Sequence, residues 1–468
     1  MESRRGAGVF FWMRVLMKSG SGSADAASWR ETFLVYAQWP IFLVFLLGIA
    51  SGFPLLLTSS TLAAQMSESG VDIKMIGLFA LVGLPYTFKF LAAPIVDAVR
   101  LPRVRSHLGH RKSWCVLMQV LLAGSLLGMS VCDPSRETLL LGVFALCTST
   151  FSAMQDIVID ALRIELLSRD SQGAGAAASV AGYRIGMLLA GAGAFVLATY
   201  LPWREVYLVS AAVMAGFVPV TLMIRRLCLD VPSGGEQEAG AERGRYRDWV
   251  YRAVVAPIVD FMKRPAAWGT LLFIALFKLG DAMAGSLSVP FYLDMGFSKL
   301  EIAAIQKVIG VVAVLVGTFL GGFVVKRMPM MRALAFCGTL QILSNFVFAA
   351  LAVIGHDVTA LTVCICIENV SGGMGTAAFV AFMAQLCNVR FTATQYALLS
   401  SISSVGRTLI SSSAGVLADG LGWGGFFVAT AAFGVPGMVL LYVISREHVT
   451  DGVLPDSKED ARNAPDGV

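Results

Sequence analysis

The stretch LLLGVFALCTSTFSAMQDIVIDALRIELLSRD, residues 139–170, begins apolar enough to enter a lipid bilayer and then carries Asp156, Asp160, Arg163 and Glu165. About 20 apolar residues in helical form cross a hydrocarbon core of about 30 Å. An ionisable side chain inside that core costs about 2.5 to 3.5 kcal/mol by insertion scales, so it persists only against a water-filled cavity, a partner or another helix. Counted from a helix start near residue 138, Asp156 lies about 27 Å along the axis, in the inner half of the span. Asp156, Asp160 and Arg163 follow i, i+4, i+7 spacing and share one face, while Glu165 points roughly opposite. The stretch reads as a membrane helix with a working site in its inner half and a charged rim below.

The whole chain agrees. Of its 468 residues 56% are hydrophobic and only 14% charged, against about 25% charged in soluble domains, so the fold class is an all-α polytopic membrane protein. The lipid bilayer is its first partner. Its net charge of +5 comes from basic residues in short loops, the positive-inside pattern. That excludes a nucleic-acid patch. Most cysteines fall inside apolar segments and read as small buried hydrophobes. His107, His110, His356 and His448 all fall in loops or tails and make no metal site. No Walker or Rossmann pattern follows a strand, so no nucleotide cofactor and no ATP-driven step are expected. A membrane enzyme would need a catalytic constellation, and none is present.

A 20-residue ruler gives twelve spans at about 36–63, 73–96, 112–131, 138–165, 173–200, 204–226, 266–293, 299–325, 331–354, 359–387, 391–418 and 423–445. Arg100, Arg103, Arg105, Arg111 and Lys112 lie between spans two and three; Arg225 to Arg264 lie between six and seven, and Lys326 to Arg332 between eight and nine. These loops are read as cytoplasmic, and both termini with them. The chain then divides into a cytoplasmic tail at 1–35, a six-helix bundle at 36–226, a polar linker at 227–265, a second six-helix bundle at 266–445 and a tail at 446–468. The basic start is read as a tail, not a cleaved signal. Around Trp249 to Met262 the linker is expected to lie on the membrane as an amphipathic helix. GYRIGMLLAGAGAFVLATYLPW (182–203) and VGRTLISSSAGVLADGLGW (405–423) echo each other, with Arg184 matching Arg407. Weak internal symmetry of this kind suits a transporter built from two repeats.

Within the spans, charges sit at Lys89 in two; Asp156, Asp160 and Arg163 in four; Arg184 in five; Lys278 and Asp281 in seven; Lys307 in eight; Glu368 in ten; and Arg407 in eleven. Spans three, six, nine and twelve carry none in their interiors and read as scaffold. This distribution resembles the major facilitator superfamily, in which the first, fourth, seventh and tenth helices line a cavity and the second, fifth, eighth and eleventh gate it. AAPIVDAVRLPRVRSHLGHRKSW (92–114) resembles a stretched form of that superfamily's signature loop, with Asp97 and the Gly109 to Lys112 cluster at its ends.

Longer strings are similar to the AmpG-type muropeptide permeases. They include GIASGFPLLLTSSTL (48–62), IGLFALVGLPYTFKFLAAPIVD (76–97), SAMQDIVIDALRIELL (152–167), GAGAAASVAGYRIGMLLAG (173–191), AVVAPIVDFMKR (253–264), LFKLGDAMAGSL (276–287), ENVSGGMGTAAFVAFMAQLCN (368–388) and ATQYALLSSISSVGR (393–407). The resemblance implies proton-linked import, across the bacterial inner membrane, of N-acetylglucosaminyl-1,6-anhydro-N-acetylmuramic acid and its peptides by a monomer. A carrier of acetyl-CoA or another amphiphilic anion in the same superfamily is the second reading. The basic N-terminal extension and the polar tail after residue 445 depart from the family pattern.

Such a cargo needs cations for its carboxylates and hydrogen-bonders for its sugars. The substrate-binding candidates are Lys89, Gln155, Arg184, Lys278, Asn369, Gln385 and Arg407. Proton coupling needs a carboxyl whose surroundings change as the cavity changes sides, and Asp156, Asp281 and Glu368 have suitable depth. Asp156 is expected to be balanced by Lys89 and Arg184, and Glu368 to pair with Lys307 when the outer side shuts. Asp97, Arg111, Asp160, Arg163, Glu165 and Lys307 are the gating candidates.

Overall fold

The computed structural model describes residues 35–99, 108–224, 251–264, 266–388, 391–411 and 413–450. The expected N- and C-terminal tails and most of the 227–265 linker lie almost wholly outside these residues. The side chains of Lys307 and Arg407 also lie outside the described part. Among the described residues the regular elements are helical and no strand occurs.

The helices follow the apolar runs. They are α1 (Trp39–Glu68), α2 (Ile73–Leu78, then Leu81–Thr87 and Lys89–Ala98), α3 (His110–Val131), α4 (Thr138–Leu166), α5 (Gln172–Tyr200) and α6 (Trp203–Met223). After the linker come α7 (Ala267–Asp294), α8 (Lys299–Ala304, Ile305–Ile309 and Gly310–Arg327), α9 (Met330–Ile354), α10 (Val358–Gln385), α11 (Thr392–Ser411) and α12 (Ala414–Thr450). Ten described helices are long and apolar enough to cross a membrane, and the α2 pair, bent by 52°, makes eleven if it counts as one span. Helix thus occupies every interval expected from hydropathy, but α11, with its run of Thr and Ser, is not among the ten.

Glycine lets helices meet where bulk would keep them apart. Gly48 and Gly52 of α1 lie against the backbone of Ser179 and Tyr183 in α5, and Gly182 and Gly186 of α5 return the contact against Phe45 and Ile49. In the second half Gly317 and Gly321 of α8 meet Val370 and Met374 of α10, and Gly373 meets Val314.

Several spans are broken, and side chains repair the breaks. Pro54 has no N–H to offer the carbonyl four residues earlier, that of Ala50. Gln155 Nε2 of α4 donates to that carbonyl at 2.8 Å. Just beyond, Thr58 and Ser59 hydroxyls bond back to the carbonyls of Pro54 and Leu55 where α1 kinks. α2 bends at Phe88, immediately before Lys89, and α7 breaks at Lys278 (φ −102°, ψ 14°). π-type turns interrupt α5 at Leu189–Gly193 and α8 at Ile305–Ile309.

The halves meet through α2 and α4 against α11, and α5 against α8 and α10. Gly173 and Ala177, at the start of α5, lie against Val325 and Gly322 at the end of α8. Ala393 and Ala397 of α11 join the apolar cluster built by α1 to α4. These contacts gather at the end of the molecule where α2 finishes with Asp97. Within the linker, in the stretch expected to lie on the membrane, is the short helix Ala256–Met262. It docks on the start of α11, where Gln395 Nε2 donates to Pro257 O at 3.0 Å and to Asp260 Oδ2 at 2.9 Å.

Gly182→Ala should push α1 from α5 and destabilise the protein by about 1–3 kcal/mol, the usual cost of overpacking. Gly216→Ala in α6, where an added Cβ meets nothing within 4 Å, should leave stability near wild type. Thermal unfolding of the two variants in detergent checks the difference.

Candidate functional site

At the closed end, one carboxylate reaches across the halves. Asp97 Oδ2 accepts from the Thr394 backbone N–H at 2.8 Å and from its hydroxyl at 2.5 Å. Thr394 is in the first turn of α11, whose unpaired N–H groups and dipole favour an anion. The other oxygen of Asp97 is 2.6 Å from Arg111 Nη2, and Arg111 is 3.0 Å from Glu165 Oε1. One buried guanidinium therefore ties the ends of α2 and α4 to the start of α3. Lys112, in the same basic cluster, turns away to cap α6, donating to Leu222 O at 3.1 Å and Ile224 O at 2.6 Å.

The rest of this end is sealed by packing. Arg163, 1% exposed, pairs with Asp160 at 3.6 Å and lies over the Tyr396 ring of α11 at 5.3 Å. Tyr36, just before α1, donates to Phe319 O of α8 at 3.0 Å. Asp260 of the linker helix accepts from Asn388 and Gln395, next to Thr394.

Above the seal are two charge groups. In the first half Asp156 accepts a hydrogen bond from Ser51 of α1, and the charge of Lys89 bears on both Asp156 and Asp160. Tyr86 donates to Ser152 at 2.7 Å beside them. In the second half Lys278 lies 3.5 Å from Asp281 and donates to Thr376 of α10 at 2.5 Å. Glu368 accepts from Asn369 Nδ2 at 2.7 Å, and the charges of Asp281, Lys278 and Arg184 all act on it.

Several sequence-derived positions move. Gln155, expected to bond the cargo, is 0% exposed and occupied by Ala50 O; Pro54 created that demand, and the amide holds α1 to α4. Arg184, expected to balance Asp156, has its charge acting on Glu368 of the opposite half, since α5 packs against α10. Gln385 is the last residue of α10 and exposed. It lies about 24 Å along the helix from Asn369, too far to join the same cluster. Asn369 sits beside the charges, its amide shared between Glu368 and Ile365 O. The expected pairing of Glu368 with Lys307, and any contact of Arg407, falls on side chains outside the described part.

Sequence reading missed Ser51, Tyr36, Thr376, Thr394, Gln395 and Asp260, and it read α9 as plain scaffold although Gln341 of α9 donates to Asp281 at 3.3 Å. Pro54 was a usable signal for Gln155. Nothing in the sequence signals the cross-half hydroxyls.

The Major Facilitator Superfamily model matches residues 32–411. The chain belongs to that superfamily, as an AmpG-type permease. It is 38% identical over 403 residues to the anhydromuropeptide permease of Escherichia coli K12, covering 86% of this chain and 79% of that one. It is also 38% identical over 421 residues to a putative AmpG 4 transporter of Rickettsia conorii, covering 89% and 99%. Two solved structures share the fold. The E. coli fucose:proton symporter matches with a TM-score of 0.60 at 13% identity, over 88% of this chain and 98% of that one. A bacterial homologue of ferroportin in its outward-facing state matches with a TM-score of 0.61 at 15% identity, over 87% and 100%. The permease is thus a multi-pass membrane transporter and not an enzyme, and a bacterial permease of this kind lies in the inner membrane.

Thr394→Val together with Asp97→Ala removes both side-chain-dependent bonds that join α2 to α11, since neither the acceptor nor the hydroxyl donor remains. Spin labels placed across this end should report a longer, broader distance distribution than in the parent permease. An unchanged distribution would mean that packing alone holds the end shut.

Proposed function

We propose that this permease imports peptidoglycan turnover fragments, N-acetylglucosaminyl-1,6-anhydro-N-acetylmuramic acid with or without its peptide, together with protons. In this reading the segments 36–226 and 266–445 are two six-helix bundles that rock about the site, and both termini are cytoplasmic. The positive-inside loops then put the Asp97 end in the cytoplasm. With that end shut, the charges between the halves face the periplasmic side, the state in which cargo is taken up. A single monomer carries the whole path.

The observation that carries the reading is the mixed cluster of Lys278, Asp281, Glu368 and Arg184, drawn from both halves and set mid-helix. Arg184 is exposed although it sits in the middle of a membrane-length helix. An exposed guanidinium at that depth belongs against water and suits a carboxylate, which it can grip through two parallel hydrogen bonds. The name of the E. coli relative, an anhydromuropeptide permease, supplies the cargo class. Lys89, Lys278 and Asn369 complete the contacts, with Arg407 on the matching side of the second half.

Protons couple through carboxyls whose partners change as the bundles rock. The Asp281–Glu368 group, on which Arg184 of the other half acts, is the candidate of this kind; Asp156, held by Ser51 and acted on by Lys89 within the first half, is the other coupling candidate. Asp97, Arg111, Glu165, Asp160 and Arg163 form the inner gate, and Lys307 belongs to the outer one.

Uptake of labelled anhydro-disaccharide into right-side-out vesicles should be driven by an inward proton gradient and abolished by a protonophore. Asp156→Asn should lose gradient-driven accumulation and keep counterflow exchange, whereas intact accumulation removes Asp156 from coupling. Arg184→Lys keeps the charge but not the two-pronged grip, so it should weaken binding of the peptide-bearing fragment more than of the bare disaccharide. Transport of acetyl-CoA in place of these sugars would overturn the cargo assignment.

A further inference from the structure

Asp281 is held by more than its lysine. Its Oδ2 lies 3.5 Å from Lys278 Nζ and 3.3 Å from Gln341 Nε2. Beside it, between α7, α9 and α12, is a cavity of about 10 Å³ lined by Asp281, Gln341 and Asn345 and by apolar groups including Phe277, Ile342 and Met438. Gln341 and Asn345 are 4% and 2% exposed. Gln341 Oε1 has no hydrogen-bond partner among the described residues. Gly375 of α10 packs directly on the Gln341 amide.

A cavity holds a water molecule when it has about 10 to 15 Å³ of room and two to four polar partners. Both conditions are met here, and an unpaired amide oxygen in a buried pocket is costly enough to retain one. That room suits one water-sized particle. The ammonium group already beside Asp281 disfavours a metal cation in the same place.

We infer that one water molecule occupies this cavity, bonded to Gln341 Oε1, the Asn345 amide and the Asp281 carboxylate, and that Gln341 and Asn345 are positioning residues for Asp281. The ion pair can then part without leaving either group unpaired. Lys278 keeps Thr376, at 2.5 Å, while Asp281 keeps Gln341 and the water. α9, which carries no charge in its interior, thereby sets the orientation of a charged group on α7. The role in transport rests on reading Asp281 as a coupling carboxyl; the water site does not.

The test uses the full-length permease in lipid nanodiscs. A density map resolving ordered water should show a peak within hydrogen-bonding distance of Gln341, Asn345 and Asp281. Infrared difference spectra should contain an O–H stretch that shifts in ¹⁸O-water, persists in Asn345→Ser and is lost in Asn345→Leu. Gln341→Met serves as a second dry variant if Asn345→Leu does not fold. No density and no such band in the wild type would overturn the site. In the transport assay the dry variants should lose gradient-driven accumulation, keep counterflow exchange, and regain accumulation in Asn345→Ser. Wild-type accumulation in a folded dry variant would overturn the positioning role. If Asp281→Asn itself accumulates cargo normally while the band behaves as expected, the coupling role of Asp281 fails and the water site stands.

Discussion

A carboxylate on a helix N-terminus is the joint on which this arrangement depends. Asp97 belongs to the first half and the opening turn of α11 to the second, and two hydrogen bonds through Thr394 connect them. The start of α11 offers N–H groups with no intrahelical partner, so the anion completes a helix as well as joining two halves. Arg111, itself anchored by Glu165, holds Asp97 in place from behind. Asp260 on the linker helix grips the adjacent Gln395 and Asn388. The linker is therefore attached to the same turn that the gate closes on, and any motion of α11 must carry the linker helix with it or break that contact.

The charges farther up the helices obey a second constraint. In a membrane each must have a partner or water, and the helix breaks determine which partners are reachable. Lys89 follows the bend in α2 and Lys278 sits at the break in α7, so both ammonium groups leave helices whose regular hydrogen bonding is already interrupted. Glu368 feels charges from α7 on its own side and from Arg184 on the other. A group whose surroundings come from both halves is one whose surroundings change when the halves move. The Asp156 set, by contrast, is built wholly from the first half, from Ser51 and Lys89.

Much of this was legible in the chain. The apolar runs placed a helix in every expected interval, and the i, i+4, i+7 spacing put Asp156, Asp160 and Arg163 on one side of α4. Asp281 and Lys278 are one turn apart and do form a pair. The misreadings share one cause. Gln155 reads as a hydrogen-bonder for sugars because of its amide, but a proline on a different helix left a carbonyl to which that amide donates. Arg184 is expected beside Asp156 because their helices are neighbours, but α5 also packs across the interface on α10, and its charge acts on Glu368. α9 looked inert because it has no charge, yet its uncharged amide reaches Asp281.

The sequence by itself determined that the chain is a bundle of membrane helices, where those helices lie, and which few charges must be sheltered inside them. Hydropathy and helical period are local properties, and the price of burying a charge depends on its residue type wherever it sits. Only the tertiary structure decided which charge shelters which, which end of the molecule is shut, and which uncharged groups complete the network. Those outcomes turn on how closely two helices approach and on which carbonyls a distant proline or helix terminus leaves open. Distances between helices are set by side chains far apart in the chain, and no local pattern records them.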